Sequence, residues 1–307
     1  MVLFMQAYFD RLNPPAGGPV DVILDTDTYN EIDDQYALSY LLLSKENYRI
    51  RALTAAPFFN EKSSGPADGM ERSYQEILKI LDLAGKSEYA PLACRGSRSY
   101  LPDETSPVPS EACDRIIDLA NQATGGRPLY ILALGALTNV ASALIKAPDI
   151  ARRCVLVWLG GNALDWPDTR EFNMKQDIAA ARVVFNNEIP LIQLPCMGVV
   201  SHLVTTQGEL ERSIAGKNAL CDYLYRITVS EGEKKGLPNW SRILWDVSVV
   251  AWLKGEKMMR GRLEYRPLPA YDGYYSIRRQ GLPYQYIYCV NRDEIFSDLF
   301  GTISAEL

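Results

Sequence analysis

Four aspartates, Asp25, Asp27, Asp33 and Asp34, lie within ten residues near the start of the chain. Carboxylates this close repel one another and stay ionised together only if positive charge lies between them. Their hard oxygen ligands suit Ca²⁺ or Mg²⁺ better than Zn²⁺. One of the last two could simply cap a helix, because a helix N-terminus favours negative charge. Four carboxylates in one short segment favour a metal site.

The acidic segment follows a predicted strand at residues 20–24 and runs into a predicted helix at residues 34–43. Such alternation continues along the chain and is typical of βαβ units with a mainly parallel sheet. Ligands bind at the carboxyl edge of these sheets, which is where the aspartates are expected to lie. The other predicted strands are 49–55, 129–134, 154–159 and 191–194, and the other predicted helices are 70–83, 111–122, 138–145 and 178–186.

The pattern changes after residue 207, where helices are predicted over residues 208–230 and 242–253. Tyr284, Tyr286 and Tyr288 then alternate as on a strand with one aromatic face, which indicates an antiparallel edge strand or a subunit contact rather than a ligand site. We therefore predict one domain over residues 1–307. Its fold class is α/β, with a mainly parallel central sheet flanked by helices and a helical and small antiparallel C-terminal part.

The composition points to a small-molecule partner. A net charge of −6 with scattered Lys and Arg argues against binding to nucleic acid or to an anionic membrane. The N-terminal segment has no basic region or cleavage pattern and is too short to span a bilayer, so we expect a cytoplasmic protein. Six dispersed cysteines without a CxxC pair argue against a disulfide frame or a zinc site, and Cys154 and Cys196 are expected in the core.

Polar residues also follow other predicted strands at the same edge. Asn60 follows one strand, and another ends at Leu134 and Gly135, where backbone carbonyls are free to bind calcium. Thr138 and Asn139 fit a helix-capping role.

A later loop combines amide and carboxylate side chains with aromatic rings, a combination that suits a sugar. The residues concerned are Asn162, Asp165, Trp166, Glu171, Phe172 and Asn173. Further on, Asp246 interrupts an apolar predicted helix. A buried carboxylate needs a partner, and Arg242 one turn earlier and a metal ion are equally good candidates.

These segments together resemble the nucleoside hydrolase family, the inosine-uridine-preferring type and its relatives, over nearly the full length of the chain. The family's Asp-x-Asp, loop, Asp-Asp motif matches the four N-terminal aspartates. Three further motifs follow in the family's order: a glycine turn with Leu-Thr-Asn, the sequence Glu-Phe-Asn, and a metal-binding Asp preceded by His or Trp. They match Gly135, Leu137, Thr138 and Asn139; Glu171, Phe172 and Asn173; and Trp245 with Asp246.

The resemblance implies a Ca²⁺ held by Asp27, Asp34, Asp246 and the carbonyl of Leu134, with Asp25 orienting the other acids. Asp27 would also be the catalytic base for a water that attacks C1′ of a nucleoside. The transition state would resemble an oxocarbenium ion, and the products would be ribose and a free base.

The resemblance also implies the residues that contact the nucleoside. Asp33 would bind a ribose hydroxyl, Asn173 the 2′ or 3′ side and Glu171 the 5′ end, with Asn60 also on the ribose side. Phe172 and Trp245 would complete the pocket. The Asn that precedes Glu-Phe-Asn in the family has no direct match, and Asn162 or Asp165 would take its place. A homo-oligomer, a dimer or tetramer, is expected.

The chain departs from the common family pattern at two places. The loop between Asp27 and Asp33 is two residues longer, so Asn30 or Glu31 can enter the site. Trp245 stands where the inosine-uridine branch has a His, which is similar to the purine-preferring branch and favours a purine-type base. His202, the one histidine of the sequence, is expected to be structural.

Two alternatives lie outside this reading. Apolar residues followed by Asp25-Thr26-Asp27-Thr28 also fit a haloacid-dehalogenase-like, Mg²⁺-dependent phosphatase. That alternative leaves Asp34 and Asp246 without a role. A calcium-stabilised nucleoside- or sugar-binding protein without turnover is the second. Assays of base release, phosphatase activity and ligand binding separate the three.

Overall fold

The computed structural model describes residues 2–45, 48–123, 126–278 and 280–305. Its strands are β1 Val20–Thr26, β2 Tyr48–Ala55, β3 Ala93–Cys94, β4 Leu129–Ala133, β5 Cys154–Leu159, β6 Leu191–Leu194, β7 Val204–Thr206, β8 Ser241–Ile243, β9 Met259–Tyr265, β10 Leu268–Pro269, β11 Tyr275–Ser276 and β12 Pro283–Val290. Its α-helices are α1 Val2–Asp10, α2 Asp34–Leu43, α3 Pro66–Leu83, α4 Glu111–Gln122, α5 Thr138–Lys146, α6 Phe172–Gln176, α7 Ile178–Phe185, α8 Gln207–Ser213, α9 Ala219–Glu233, α10 Val247–Trp252 and α11 Arg292–Ile303. Short 3₁₀ helices are formed by Ser87–Leu92, Pro148–Arg152 and Val200–His202.

The central sheet has eight strands in the order β3-β2-β1-β4-β5-β6-β12-β9. Every neighbouring pair is parallel except β12 with β9. The strand order reverses between β1 and β4, because β2 and β3 lie on one side of β1 while β4 to β6 lie on the other. Ligands bind at such a switch point, outside the carboxyl ends of the strands.

Helices cover both faces of the sheet, as the alternation of side chains on β1 requires. Val22 and Leu24 pack in one hydrophobic cluster with α2, α3, α10 and α11, whereas Ile23 packs in another with α4, α5 and α7. Strands buried on both faces read as continuous apolar runs, which is what the sequence shows here. Among the described residues, no helix is long and apolar enough to cross a bilayer.

The predicted α/β fold with a mainly parallel sheet is confirmed, and small antiparallel pairs follow it in the C-terminal part. The single helix predicted over residues 208–230 is wrong, because α8 and α9 are separated. Gly216, with a φ of +73°, turns the chain, and Asn218 caps α9 by accepting a hydrogen bond from the Cys221 N–H at 2.8 Å. Both residues are typical turn and cap formers.

The helix predicted over residues 242–253 is also wrong in its first part. Ser241–Ile243 forms β8, paired antiparallel with β7, and α10 begins only after Asp246, which occupies its N-cap position. A distant strand partner has overridden local helix preference at this point.

The tyrosine-rich strand β12 pairs antiparallel with β9, as predicted, but the predicted edge position is wrong, and the alternative of a subunit contact stays a prediction. It lies between β6 and β9, so β9 forms the edge of the sheet. Tyr284 and Tyr286 are buried with their rings 6.3 Å apart, while Tyr288 lies at an irregularity in the pairing with β9 and is exposed.

Candidate active site

The acidic segment follows β1 at the carboxyl edge of the sheet, beside the switch point. Asp27 follows the last residue of β1, Asp33 occupies the N-cap position of α2, and Asp34 is the first residue of that helix. The Asp33 side chain makes no capping hydrogen bond. It accepts instead from the backbone N–H of Trp245 at 2.8 Å, which connects the N-terminal segment to the start of α10.

Three carboxylates from distant parts of the chain come together at this edge. Oxygens of Asp33, Asp34 and Asp246 all lie within 4.8 Å of one another, and the three residues are buried. Asp34 also accepts a hydrogen bond from Thr26 Oγ1 at 2.5 Å. This group includes Asp33, which the family resemblance assigned to ribose.

The acids are costly to ionise without a cation. Burial raises the pKa of Asp33 and of Asp34 to about 6. The pKa of Asp27 is raised well above its ordinary value by burial and by the charge of Asp34, and that of Asp246 by burial and by the charge of Asp33. Among the described residues, Asp27 Oδ2 is buried without a hydrogen-bond partner. This donor set fits a hard divalent cation.

Asp25 is buried in β1 and is held by two neighbouring side chains, while its predicted role in orienting the other acids stays a prediction. It accepts hydrogen bonds from Thr54 Oγ1 at 2.6 Å and from Asn139 Nδ2 at 2.8 Å. The capping role predicted for Asn139 is therefore wrong. Thr138 does not cap α5 either, since its hydroxyl donates to Asp177 at 2.7 Å and Leu137 holds the N-cap position.

The turn after β4 closes the floor of the site. A Cβ on Gly135 would lie 3.0 Å from Asp27 Cγ and 3.3 Å from Ala56 Cβ, so the turn approaches Asp27 as closely as it does because this residue has no side chain. The carbonyl of Leu134 accepts from Asn173 Nδ2 at 2.6 Å. A carbonyl has two lone pairs, so the second remains available for a cation.

A cavity of about 360 Å³ opens above the acids. Ten of the predicted site residues line it: Asp27, Asp33, Asp34, Leu134, Asn162, Glu171, Phe172, Asn173, Trp245 and Asp246. Five further lining residues were not predicted from the sequence: Leu159, Asp168, Arg170, Cys196 and Met197. Leu159 ends β5, and Cys196 and Met197 follow β6 at the same sheet edge, so their positions at the ends of predicted strands are the signal in the sequence that could have found them.

The predicted residues Asn60 and Asp165 are not among those that line the cavity. Asp165 is exposed on its loop. Asn60 donates through Nδ2 to Asn30 Oδ1 at 2.7 Å, and Asn30 itself lines the cavity.

The longer loop between Asp27 and Asp33 contributes Asn30 and Glu31 to the cavity wall. Glu31 forms an ion pair with Arg242 at 2.7 Å. Arg242 therefore holds this loop, and its ion pair is with Glu31 rather than with Asp246.

Glu171 is the N-cap of α6 and is oriented by backbone groups. It accepts from the N–H groups of Asn173 and Met174 and from that of Gly161. Burial raises its pKa. The neighbouring Asn173 donates to the carbonyls of Leu134 and Leu159, so its side-chain oxygen remains for a ligand.

Comparison with known proteins identifies the family. The model of the inosine-uridine preferring nucleoside hydrolases matches residues 22–268. The chain belongs to this family. Membership removes the basis for the phosphatase alternative, which rested on the first two aspartates alone.

Two curated relatives of this chain have low sequence identity to it and match about half of its length. An uncharacterized protein of Schizosaccharomyces pombe is 29% identical over 160 residues, which cover 49% of this chain and 50% of that protein. The pyrimidine-specific ribonucleoside hydrolase RihA of Citrobacter koseri is 25% identical over 182 residues, 52% of this chain and 55% of that protein. The chain thus spans about half the length of these curated relatives.

A solved structure shares the fold over a longer range. The purine-preferring ribonucleoside hydrolase from Gardnerella vaginalis superposes with a TM-score of 0.73 at 21% identity, covering 92% of this chain and 98% of that structure. This similarity establishes the nucleoside hydrolase fold.

Two further predictions from the sequence concern Trp245, expected to contact the nucleobase, and His202, expected to be structural. Trp245 lines the cavity beside Asp246. His202 does not belong to that lining; it lies in the 3₁₀ turn after β6, with Nδ1 2.8 Å from the carbonyl of Val199. Trp245 therefore belongs to the lining of the cavity, whereas His202 does not.

Proposed function

We propose that this protein is a calcium-dependent nucleoside hydrolase that cleaves the N-glycosidic bond of a purine-type ribonucleoside to free base and ribose. The observation that carries the proposal is the group of buried aspartates at the floor of a nucleoside-sized cavity in a member of this family. So many buried carboxylates are functional rather than structural, because burial penalises every one of them.

The cation would be held by Asp27, Asp34, Asp246 and the Leu134 carbonyl, with Asp33 close enough to take part. The raised pKa values and the unpartnered Asp27 Oδ2 support this assignment. Bound calcium would supply the positive charge that keeps the aspartates ionised and lowers the pKa of a neighbouring water.

Asp27 would act as the general base. Its free Oδ2 takes a proton from the attacking water as that water bonds to C1′. The C1′–N bond breaks, and its electron pair goes to the departing nucleobase, which takes up a proton from solvent. The surrounding carboxylates stabilise the positive charge that develops on the ribose ring.

The ribose would be fixed by hydroxyl contacts on both sides of the acids. Asp33 and the side-chain oxygen of Asn173 would accept from the 2′ and 3′ hydroxyls, which places the C5′ end toward Glu171. Trp245 would border the base, and stacking there favours the larger purine ring.

A base-release screen with purine and pyrimidine nucleosides tests this function. With Ca²⁺ present we expect release from inosine, adenosine or guanosine at a higher kcat/KM than from uridine or cytidine. Exhaustive chelation should abolish release. Full turnover after chelation contradicts the calcium requirement, and tight nucleoside binding by calorimetry without any base release favours the binding-protein alternative.

A further inference from the structure

The central sheet is open along the outer side of β9. This strand pairs antiparallel with β12, and no other strand in the described part of the chain pairs with it. Four of its residues are exposed: Arg260, Arg262, Leu263 and Tyr265. An exposed edge strand offers unpaired backbone N–H and C=O groups to another strand, so proteins either protect such an edge or use it for association.

The charges of β9 are complementary to themselves in one register. A two-fold axis perpendicular to the sheet would place β9 of a second copy antiparallel beside it, and directly opposite residues then share a face of the sheet. Among the interior positions 260–264, an axis at Arg260, Gly261 or Arg262 places two arginines opposite each other, and an axis at Glu264 does so for two glutamates. An axis at Leu263 instead places Arg262 of each copy opposite Glu264 of the other, and unlike charges stabilise such a pair.

Arg262 is held in place with donors to spare. Its Nε donates to Glu264 of the same chain at 2.7 Å. Its guanidinium lies over the rings of Tyr286 and Tyr288, 5.4 and 5.8 Å from their centroids. A guanidinium has five N–H donors, and no described residue accepts from the terminal nitrogens of this one. The carboxylate of a second copy can therefore bind there.

The other face of β9 supplies apolar contacts in the same register. Leu263 and Tyr265 are 52% and 54% exposed and share a face with Gly261. An axis at Leu263 places the two leucines side by side and Tyr265 of each copy opposite Gly261 of the other. Gly261 lines a groove of about 540 Å³ together with Gln285 and Ile287 of β12. The tyrosine ring would pack in this groove, as aromatic side chains do over glycines on strand edges.

Exposed side chains beside the strand widen the surface. A stable dimer buries about 800 Å² of each partner, so groups next to the strand must contribute. At the end of β9, Tyr274 and Ile277 line a groove with Glu264 and Tyr265, and both are exposed. Contiguous exposed apolar groups of this kind mark protein interaction sites.

We propose that β9 is the interface of a homodimer in which two eight-stranded sheets join, antiparallel and centred at Leu263, into one continuous sheet. The partner is a second copy of this chain because the charge pattern of the strand is complementary to itself. None of the described residues that line the catalytic cavity belongs to β9, so this inference is independent of the reaction proposed above.

Charge reversal tests the interface and its register. Light scattering after size-exclusion chromatography, over a dilution series, should give the wild type twice the chain mass of 34.4 kDa. Arg262→Glu and Glu264→Arg each place like charges opposite each other and should raise the dimer dissociation constant at least about tenfold. The double variant should dimerise again, and an equimolar mixture of the two single variants should form a heterodimer. Lys146→Glu, which breaks a surface ion pair with Asp114 outside β9, is the matched control and should leave dimerisation unchanged.

Cross-linking tests the position of the axis. Leu263→Cys, in a Cys289→Ser background that removes the exposed native cysteine, should be linked into dimers by a short bis-maleimide. Leu237→Cys in the same background is a similarly exposed control outside β9 and should react more slowly. Equal cross-linking of the two variants overturns the register. A monomeric wild type, which would leave the edge to a different protein, overturns the inference, as does a dimer that neither single charge reversal weakens or a mixture that forms no heterodimer.

Discussion

Asp34 shows how one side chain can serve both the fold and the site. Its carboxylate accepts from Thr26 at 2.5 Å and lies within 4.8 Å of Asp33 and Asp246. An amide at this position could keep the hydrogen bond from Thr26 while removing one negative charge. The residue therefore separates local structure from cation binding.

We predict that Asp34→Asn folds normally and loses calcium affinity. Loss of a metal ligand should cost at least the 10- to 100-fold in affinity that is typical of outer-shell partners. Its melting temperature without calcium should match or exceed that of the wild type, because repulsion among the acids falls. Calorimetric titration with Ca²⁺ measures the affinity, and wild-type affinity would exclude Asp34 as a ligand.

Substitutions of Trp245 and of His202 are expected to lower activity to different extents. Trp245→Ala should lower kcat/KM roughly threefold to tenfold, and more for purine than for pyrimidine nucleosides, because an aromatic contact with the base is lost. His202→Ala should have a smaller effect, through packing alone, since the histidine lies outside the cavity lining. If His202→Ala abolishes turnover without changing substrate binding while Trp245→Ala is silent, the two roles are reversed.

At the scale of elements, the turn after β4 determines where Asp27 lies. Gly135→Ala would bring a Cβ to 3.0 Å from Asp27 Cγ. We predict a loss of about 10- to 100-fold in turnover, because small displacements of a catalytic group are costly. Gly301→Ala is the matched control: Gly301 lies in α11 with open space around it, so this change should keep activity and stabilise the protein by about 0.5–1 kcal/mol. Wild-type turnover of Gly135→Ala would show that Asp27 tolerates the shift.

The parallel strands could be predicted from the sequence because each is a short apolar run that is buried on both faces. Predicted and observed bounds agree at residues 154–159 and 191–194, and β1 extends only two residues beyond its predicted end. Asp27 and Asp34 could be predicted at the sheet edge because they follow a strand, whereas Asp246 could be assigned to the same cavity only through the resemblance to the family motifs.

Features that depend on distant pairing could not be predicted in this way. Residues 241–243 have an apolar, helix-like context, and pairing with β7 makes them a strand. Asn139 resembles a helix cap, yet its amide reaches Asp25 on β1. The ion pair of Glu31 with Arg242 joins residues more than two hundred positions apart. Tertiary contacts decide each case, and local patterns carry no information about them.

At the scale of the whole molecule, repulsion among the buried aspartates lowers the stability of the metal-free protein, and bound calcium would reduce that repulsion. Asp33 and Asp34 have a folded pKa of about 6 against an ordinary value of 3.8. A raised folded pKa stabilises the protonated native state, so in the metal-free protein this contribution is complete below pH 3.8 and is lost as the pH rises through about 6. Protons and calcium therefore compete for the same carboxylates.

We predict that the rise in melting temperature caused by excess Ca²⁺ is small at about pH 5 and grows toward about pH 7. Differential scanning fluorimetry at fixed ionic strength measures this difference. Asp34→Asn should show a smaller rise throughout. A calcium effect that is constant with pH would mean that these aspartates do not bind the ion.

The central claim is that Asp27 drives hydrolysis of an N-glycosidic bond, and parallel quantification of free base and free ribose tests it most directly. For the wild type with Ca²⁺ and the nucleoside released fastest, we predict equimolar base and ribose. Asp27→Asn should bind the same nucleoside but turn over at least about 100-fold more slowly, the scale of general-base catalysis plus loss of a ligand. Base release without ribose, or near wild-type turnover by Asp27→Asn, would contradict the account.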